Sequence, residues 1–370
     1  AKSKFTGLYV WCIVKSLKRH GRKVLMIKFV ASHLSGNGGT ETVLVSVLNH
    51  FAKSNPVELI IFGTPDNDYW LSKLNSNVKV KIINYSGKFS KLLSFTQEAF
   101  SIKKNDLLIS LSPSFIKLSS LLRKAKLSNF KIISWIHFSL VDQDLFNPHD
   151  ITYADYHLAI SNKIKKQLVS LGVAEKKIAV IYNPINQERI WHFQQHDGVN
   201  IAYIGRISFK GQKNLKELFD GLKNSSNTNL FIVGNGSKKE IAKCKNYIDK
   251  NQITSKVTWA GWQKDPWHYL KDKNIDGVIL TSNFEGLPMV FLESISRGVP
   301  VISSQFDGYD DVVKDKINGF SYEPGNIDKL TEIIGKIKDI KDKKKTQNSI
   351  NEFYNDNYFA KLDDIIKQIC

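Results

Sequence analysis

Cysteine is nearly missing from this chain: three in 370 residues, Cys12, Cys244 and Cys370. They are odd in number and far apart. That argues against a disulfide framework or a cysteine-built metal site and fits a reducing compartment. No stretch reaches the ~20 apolar residues of a membrane-crossing helix. Acidic residues are few relative to basic ones: 35 Asp and Glu against 53 Lys and Arg, a formal charge of +18. The excess favours anionic partners, whether phosphorylated substrates, anionic lipid or nucleic acid. There is no zinc-ligand spacing, RNP-type run or compact arginine cluster, so nucleic acid is not expected. Solenoid repeats are also missing. The one low-complexity tract is the lysine run of "KDIKDKKKTQ".

What is present is the profile of a soluble globular protein, 42% hydrophobic and 24% charged, at a length that predicts two domains. The first 25 residues, "AKSKFTGLYVWCIVKSLKRHGRKVL", are apolar-leaning from Gly7 to Val14 between basic flanks. They lack a small-residue cleavage site, so a secretory signal is not expected. "MIKFVAS" from Met26 reads like a natural start, and residues 1–25 like a basic extension. A membrane-touching helix is the alternative reading of that segment.

From Met26 the pattern alternates. The β-rich runs "MIKFVAS", "VELIIFG", "VKVKIIN", "DLLISLS", "KIISWIH", "HLAIS" and "IAVIYNP" are separated by helical periodicity. In "TETVLVSVLNHF", Val43, Leu44, Val47, Leu48 and Phe51 share one face. A polar stretch, Asn183–Asn200, interrupts the pattern. It restarts with "IAYIG", "NLFIVG", "KVTWAG", "DGVILTS", "VPVISS" and "GFSYE". Strands alternating with helices predict an α/β protein with two doubly wound parallel sheets. The expected divisions are 26–185, a linker at 186–198, a second domain at 199–350, and a helix at 351–370 packing back toward the first domain. Two such domains make a cleft, and ligands bind beyond the carboxyl ends of the strands.

The loops after the strands are therefore the places to search. After strand one, Gly36, Gly38 and Gly39 precede a helix; they fit an anion approach or a flexible connection with Thr40 as the cap. His137 ends "KIISWI", either as a polar terminus or as a hydrogen-bonding partner of a sugar or phosphate. After "IAYIG" come Arg206, Lys210 and Lys213, the last at a helix start: cations and a helix N-terminus converging as a diphosphate would require. Gly234 and Gly236 follow "NLFIV", with a tight turn and a ligand role equally open.

After "GVILTS" come Glu285 in a loop with Gly286, then Pro288 at the expected first helical position, then Glu293 in the second turn. A carboxylate beside "MVFLESIS" must reach a surface or find partners. The two glutamates are better placed to hold two parts of one ligand than to form an acid–base pair.

These pieces resemble the retaining glycosyltransferases of the GT-B fold, in the nucleotide-sugar-dependent group 1 class, family 4. The matching residues are "GNGGTE", His137 in "SWIHFS", Ser161 in "ISNKIKKQL", "YNPI" from Tyr182, Arg206, Lys213-Asn214, and the Glu285/Glu293 pair before "SRGVPVISS". The stretches "GRISFKGQKN", "WAGWQKDPW" and "TSNFEGLPM" look most like those of bacterial lipopolysaccharide-core α-1,6-galactosyltransferases.

The resemblance implies a UDP-sugar donor, galactose or glucose, held by the second domain, and a glycan or lipid-linked acceptor presented by the first. It implies that Arg206 and Lys213 bind the diphosphate and stabilise its departure, with Lys210 a competing choice. Glu293 would hold the ribose. Glu285, with the backbone of Gly286, Leu287, Pro288 and Met289, would hold the sugar. Gly38 and Gly39 would approach the phosphates, and His137 would lie near the sugar O6. The catalytic set is then Arg206, Lys213, Glu285 and His137.

No cofactor is expected. "DND" (Asp66–Asp68) and "DQD" (Asp142–Asp144) fit a cation-binding triplet only in their letters, and with Arg and Lys available no metal is expected. The expected location is the cytoplasm, with the positive charge allowing contact with the inner face of the membrane. The alternatives are a GT-B sugar-nucleotide hydrolase or epimerase, or a two-domain sugar-binding protein without catalysis.

Overall fold

The strand-like runs all form strands, and the reason is burial. β1 (Ile27–Ala31), β2 (Val57–Phe62) and β4 (Leu107–Ser110) are buried at every residue, as strands covered on both faces must be. The computed structural model describes residues 26–369 except 33, 35, 37, 38, 127, 141–145 and 193. The expectations for residues 1–25, Gly38, Asp142–Asp144, Cys12 and Cys370 lie outside the described residues.

β3 (Val78–Ile83), β5 (Lys131–Ile136), β6 (Tyr156–Ala159) and β7 (Ile178–Val180) complete a seven-stranded sheet of order β3-β2-β1-β4-β5-β6-β7. The second sheet holds β8 (Val199–Ile204), β9 (Thr228–Val233), β10 (Val257–Gly261), β11 (Gly277–Leu280), β12 (Val301–Ser304) and β13 (Gly319–Tyr322), in order β10-β9-β8-β11-β12-β13. The described pairings are parallel, for instance Ile27 opposite Val57 and Ile201 opposite Leu230. Central β11 and β12 are fully buried, whereas edge strand β3, "VKVKII", is mostly exposed and carries two lysines.

The helices of the first sheet are α1 (Gly39–Phe51), α2 (Gly87–Ser101), α3 (Pro113–Ala125) and α4 (Asn162–Ser170). Those of the second are α5 (Leu215–Asn224), α6 (Lys238–Lys250), α7 (Pro266–Leu270), α8 (Met289–Ser296), α9 (Ile327–Lys336) and α10 (Lys343–Asn348), and α11 (Asn355–Ile369) follows them. In α1 the predicted face, Val43, Leu44, Val47, Leu48 and Phe51, is the buried one. The helix starts at Gly39, so Thr40 lies in the first turn and is not the cap. The last α-helix begins at Asn355, after a short 3₁₀ turn over Asn351–Phe353.

The chain falls into two compact units that meet between Ile133 and Ser134, within β5. In the first, Phe62, Phe95 and Phe115 form a cluster with ring centroids 4.2–5.5 Å apart. In the second, the polar stretch between β7 and β8 is tied down at Ile185. Its N–H donates to Phe353 O at 2.9 Å and its carbonyl accepts from Asn355 N at 3.0 Å, at the start of α11.

Candidate active site

In the second sheet the strand order reverses between β8 and β11. Chain leaving β8 winds toward β9, chain leaving β11 winds toward β12, and a crevice opens between their carboxyl ends. The predicted charged residues leave the sheet at these two strands.

β8 ends at Gly205-Arg206. The Tyr203 hydroxyl donates to the Arg206 carbonyl at 2.6 Å, fixing the turn. Burial holds that phenol well above its usual range. The Arg206 guanidinium is exposed; its Nη2 donates to Gln212 Oε1 at 2.7 Å, and Gln212 Nε2 donates to the Phe284 carbonyl at 3.3 Å. Lys213 precedes Asn214, which caps α5 in the left-handed region at φ 46°, a conformation asparagine tolerates.

The loop after β11 fastens onto this one. Thr281 Oγ1 donates to the carbonyls of Lys213 and Asn214 at 3.2 and 3.0 Å. Asn283 donates through its backbone to Gln212 O at 2.8 Å and through Nδ2 to Gly211 O at 2.6 Å. The two loops thus form one rigid ledge. Upon it, Glu285 Oε1 accepts from Lys213 Nζ at 2.5 Å and from Ser282 Oγ at 2.6 Å. The pair is largely buried, at 16% and 10% side-chain exposure, so the ion pair is poorly screened. Lys210 is exposed, and the structure sets Lys213, not Lys210, against Glu285.

Pro288 is the N-cap of α8, not its first helical residue, and Leu287 is buried beside it. Glu293 is in the second turn. Its Oε2 accepts from the Trp267 indole N–H at 2.7 Å. Burial raises its pKa, opposed by the indole and by Arg297. The Arg297 guanidinium lies 4.6 Å from the Trp267 ring and donates to the Glu293 carbonyl at 2.8 Å. So the two glutamates serve separate groups: Glu285 a lysine, Glu293 an indole.

His137 follows β5. Its Nε2 is buried without a hydrogen-bond partner, and its ring meets Trp135 edge-on at 4.4 Å. Burial lowers its pKa to about 3, so the imidazole is neutral at physiological pH. A Cβ on Gly286 would come within 2.9 Å of the His137 carbonyl. Glycine is what lets the Glu285 loop reach this histidine.

The structure therefore gathers Arg206, Lys213, Glu285, Gly286 and His137. Glu293 stands further along α8. Gly39 is exposed at the start of α1. The turn at Gly234 has a structural explanation: a Cβ there would lie 1.8 Å from Gly205 O. Sequence reasoning missed Gln212, Ser282 and Trp267. The signal for Ser282 and Gln212 in the sequence is only that they are polar residues close to Glu285 and Lys213. Trp267 follows the helix-start pair Asp265-Pro266, whose carboxylate Oδ1 accepts from His268 N at 2.9 Å. Among the described residues, no group of three His, Cys, Asp or Glu side chains is placed to hold a metal ion.

Arginine and lysine at a strand-to-helix turn, a carboxylate on the lysine, and a second carboxylate on an indole can hold an anion and a polyhydroxylated ligand together. Residues 187–355 match the family described as Glycosyl transferases group 1, and residues 37–189 match Glycosyltransferase Family 4. The chain belongs to the group 1 glycosyltransferases, and its fold is GT-B. It is a glycosyltransferase in sequence and architecture.

It is 34% identical over 363 residues to the lipopolysaccharide 1,6-galactosyltransferase of Salmonella typhimurium LT2, covering 92% of this chain and 98% of that protein. To the Escherichia coli K12 lipopolysaccharide 1,6-galactosyltransferase it is 32% identical over 359 residues, with the same coverage of 92% and 98%. The solved apo structure of the lipopolysaccharide outer core galactosyltransferase WaaB superposes with a TM-score of 0.83 at 32% identity, covering 94% of this chain and all of that one.

Proposed function

We propose that this glycosyltransferase moves galactose from UDP-galactose, with retention, onto a lipid-linked core oligosaccharide during lipopolysaccharide synthesis, at the cytoplasmic face of a membrane and without a metal. The observation that carries the reading is Arg206 and the Lys213–Glu285 ion pair at the switch point between β8 and β11. It is supported by identity to galactosyltransferases along nearly the whole of their length.

Breaking a sugar–phosphate bond builds negative charge on the departing diphosphate. Fixed cations there stabilise the transition state more than the ground state. In the structure Lys213 is shared with Glu285, and a bound diphosphate competes for its ammonium. Glu285 then accepts from sugar hydroxyls. Glu293, its Oε2 held by Trp267, receives ribose hydroxyls. The neutral His137 offers a hydrogen bond to a hydroxyl and is not a proton donor at neutral pH. The phosphate itself receives the acceptor proton, so no protein base is assigned.

The test is a donor screen with UDP-galactose, UDP-glucose and GDP-sugars against core oligosaccharide, with the anomeric configuration read by NMR. UDP-galactose is expected to be used and the product to be α-linked. Equal rates with EDTA are expected. A β-linked product, or rates that vanish with EDTA, would overturn the corresponding part of the reading. Nucleotide release without transfer would favour hydrolysis.

A further inference from the structure

Helix α2 has two apolar faces. The inner one holds it to the fold: Phe95 meets Phe62 of β2 at 4.2 Å and Phe115 of α3 at 5.3 Å between ring centroids. The outer one faces water. Phe89 is 80% exposed, Leu92 55%, Leu93 51% and Phe100 49%. At 100° per residue, Phe89, Leu93 and Phe100 lie within about 40° of one another, opposite Phe95. Val80 and Ile82 of edge strand β3 are also exposed, but Lys81 between them pairs with Glu98 of α2, so they point to the opposite face of the sheet and are not part of this stripe. Four of the thirteen exposed large apolar residues described lie on this one helix, so they form a stripe and not scatter.

Charge says what covers it. Residues 78–126 hold ten Lys and Arg and only two acidic residues, Glu98 and Asp106. Both acids are buried, and Glu98 is ion-paired with Lys81. Lys88, Lys103 and Lys104 are exposed around the ends of α2. Lys126 Nζ sits 4.0 Å from the Phe100 ring. An apolar stripe flanked by lysines, with no exposed acid between residues 78 and 126, matches an interfacial helix on anionic lipid. The chain's own residues 1–25 carry seven Lys and Arg and no acid, so they have the same sign as the patch and do not suit it as a cover.

We infer that the outer face of α2 docks this protein onto an anionic lipid bilayer, the helix lying in the headgroup plane. The inference extends the lipid-linked-acceptor reading but does not depend on the donor or the linkage.

The test is co-sedimentation of the full chain with vesicles of phosphatidylcholine alone or mixed with phosphatidylglycerol. The wild type is expected on the mixed vesicles only. Lys88→Glu/Lys103→Glu/Lys104→Glu is expected to lower partitioning on the order of 100-fold. Phe89→Ser/Leu92→Ser/Leu93→Ser is expected to lower it comparably, leaving a remnant that salt abolishes. Both variants should transfer sugar to a soluble, delipidated acceptor at the wild-type rate. That arm reads the proposed function separately and confirms folding. Three results would overturn the inference: variants retained like the wild type, equal retention on neutral vesicles, or a lipid-free dimer that the serine variant disperses. In the last case a second copy is the occupant.

Discussion

At the scale of single residues, the site divides its work between two carboxylates with different partners. Glu285 is bound to a lysine, and Glu293 to an indole. Glu293→Ala is expected to weaken UDP binding by about tenfold, the loss of one or two hydrogen bonds to a charged acceptor. Glu285→Ala is expected to lower kcat with little change in nucleotide affinity. Calorimetry with UDP and initial rates separate the two, and small, equal effects would make the pair structural. Lys213→Ala is expected to reduce kcat/KM by about 100-fold or more, because it removes a cation where charge develops. His137 has a pKa of about 3, so a pH–rate limb between 5 and 8 belongs to another group. A limb that disappears in His137→Ala would refute this.

At the scale of elements, the loops after β8 and β11 are bound to each other, and α7 and α8 are joined through Trp267 and Glu293. Trp267→Phe keeps the ring but leaves Glu293 Oε2 without its donor. The expected cost is about 1.5–3 kcal/mol in urea melts, accompanied by a raised donor KM. Unchanged stability would mean that the indole bond is dispensable. Gly234→Ala drives a methyl against the Gly205 carbonyl, and a loss of about 3 kcal/mol is expected by the same measurement. The turns could be anticipated because glycines follow strands. That Gly234 serves backbone packing while Gly286 brings a loop to His137 could not, since both depend on residues distant in sequence.

For the whole molecule, buried histidines make stability depend on pH. His157 is buried; its Nδ1 lies 2.7 Å from Ser134 Oγ, and burial lowers its pKa to about 4. The folded value is below the ordinary 6.5, so below pH 6.5 the unfolded chain binds the proton and the folded chain does not. Its effect is absent above that pH. Stability then falls by up to ~1.4 kcal/mol per pH unit until about pH 4. Urea melts of the wild type and His157→Gln between pH 7 and 4.5 should show a shallower decline in the variant. Parallel curves would refute the assignment.

Both sheets were legible from the chain because a strand buried on both faces must be apolar along its length, and periodicity records that directly. The spacing of Glu285 and Glu293, and Arg206 after a strand-ending glycine, were also legible, because they depend on position along one strand–loop–helix segment. What only the tertiary structure decided is pairing between segments. The helix start favours Lys213 over Lys210 locally, but only the fold sets Lys213 against Glu285, and nothing local identifies Trp267 as the partner of Glu293. The same holds for α2: its sequence shows apolar residues on two faces, but only packing against Phe62 and Phe115 determines which face is left to solvent.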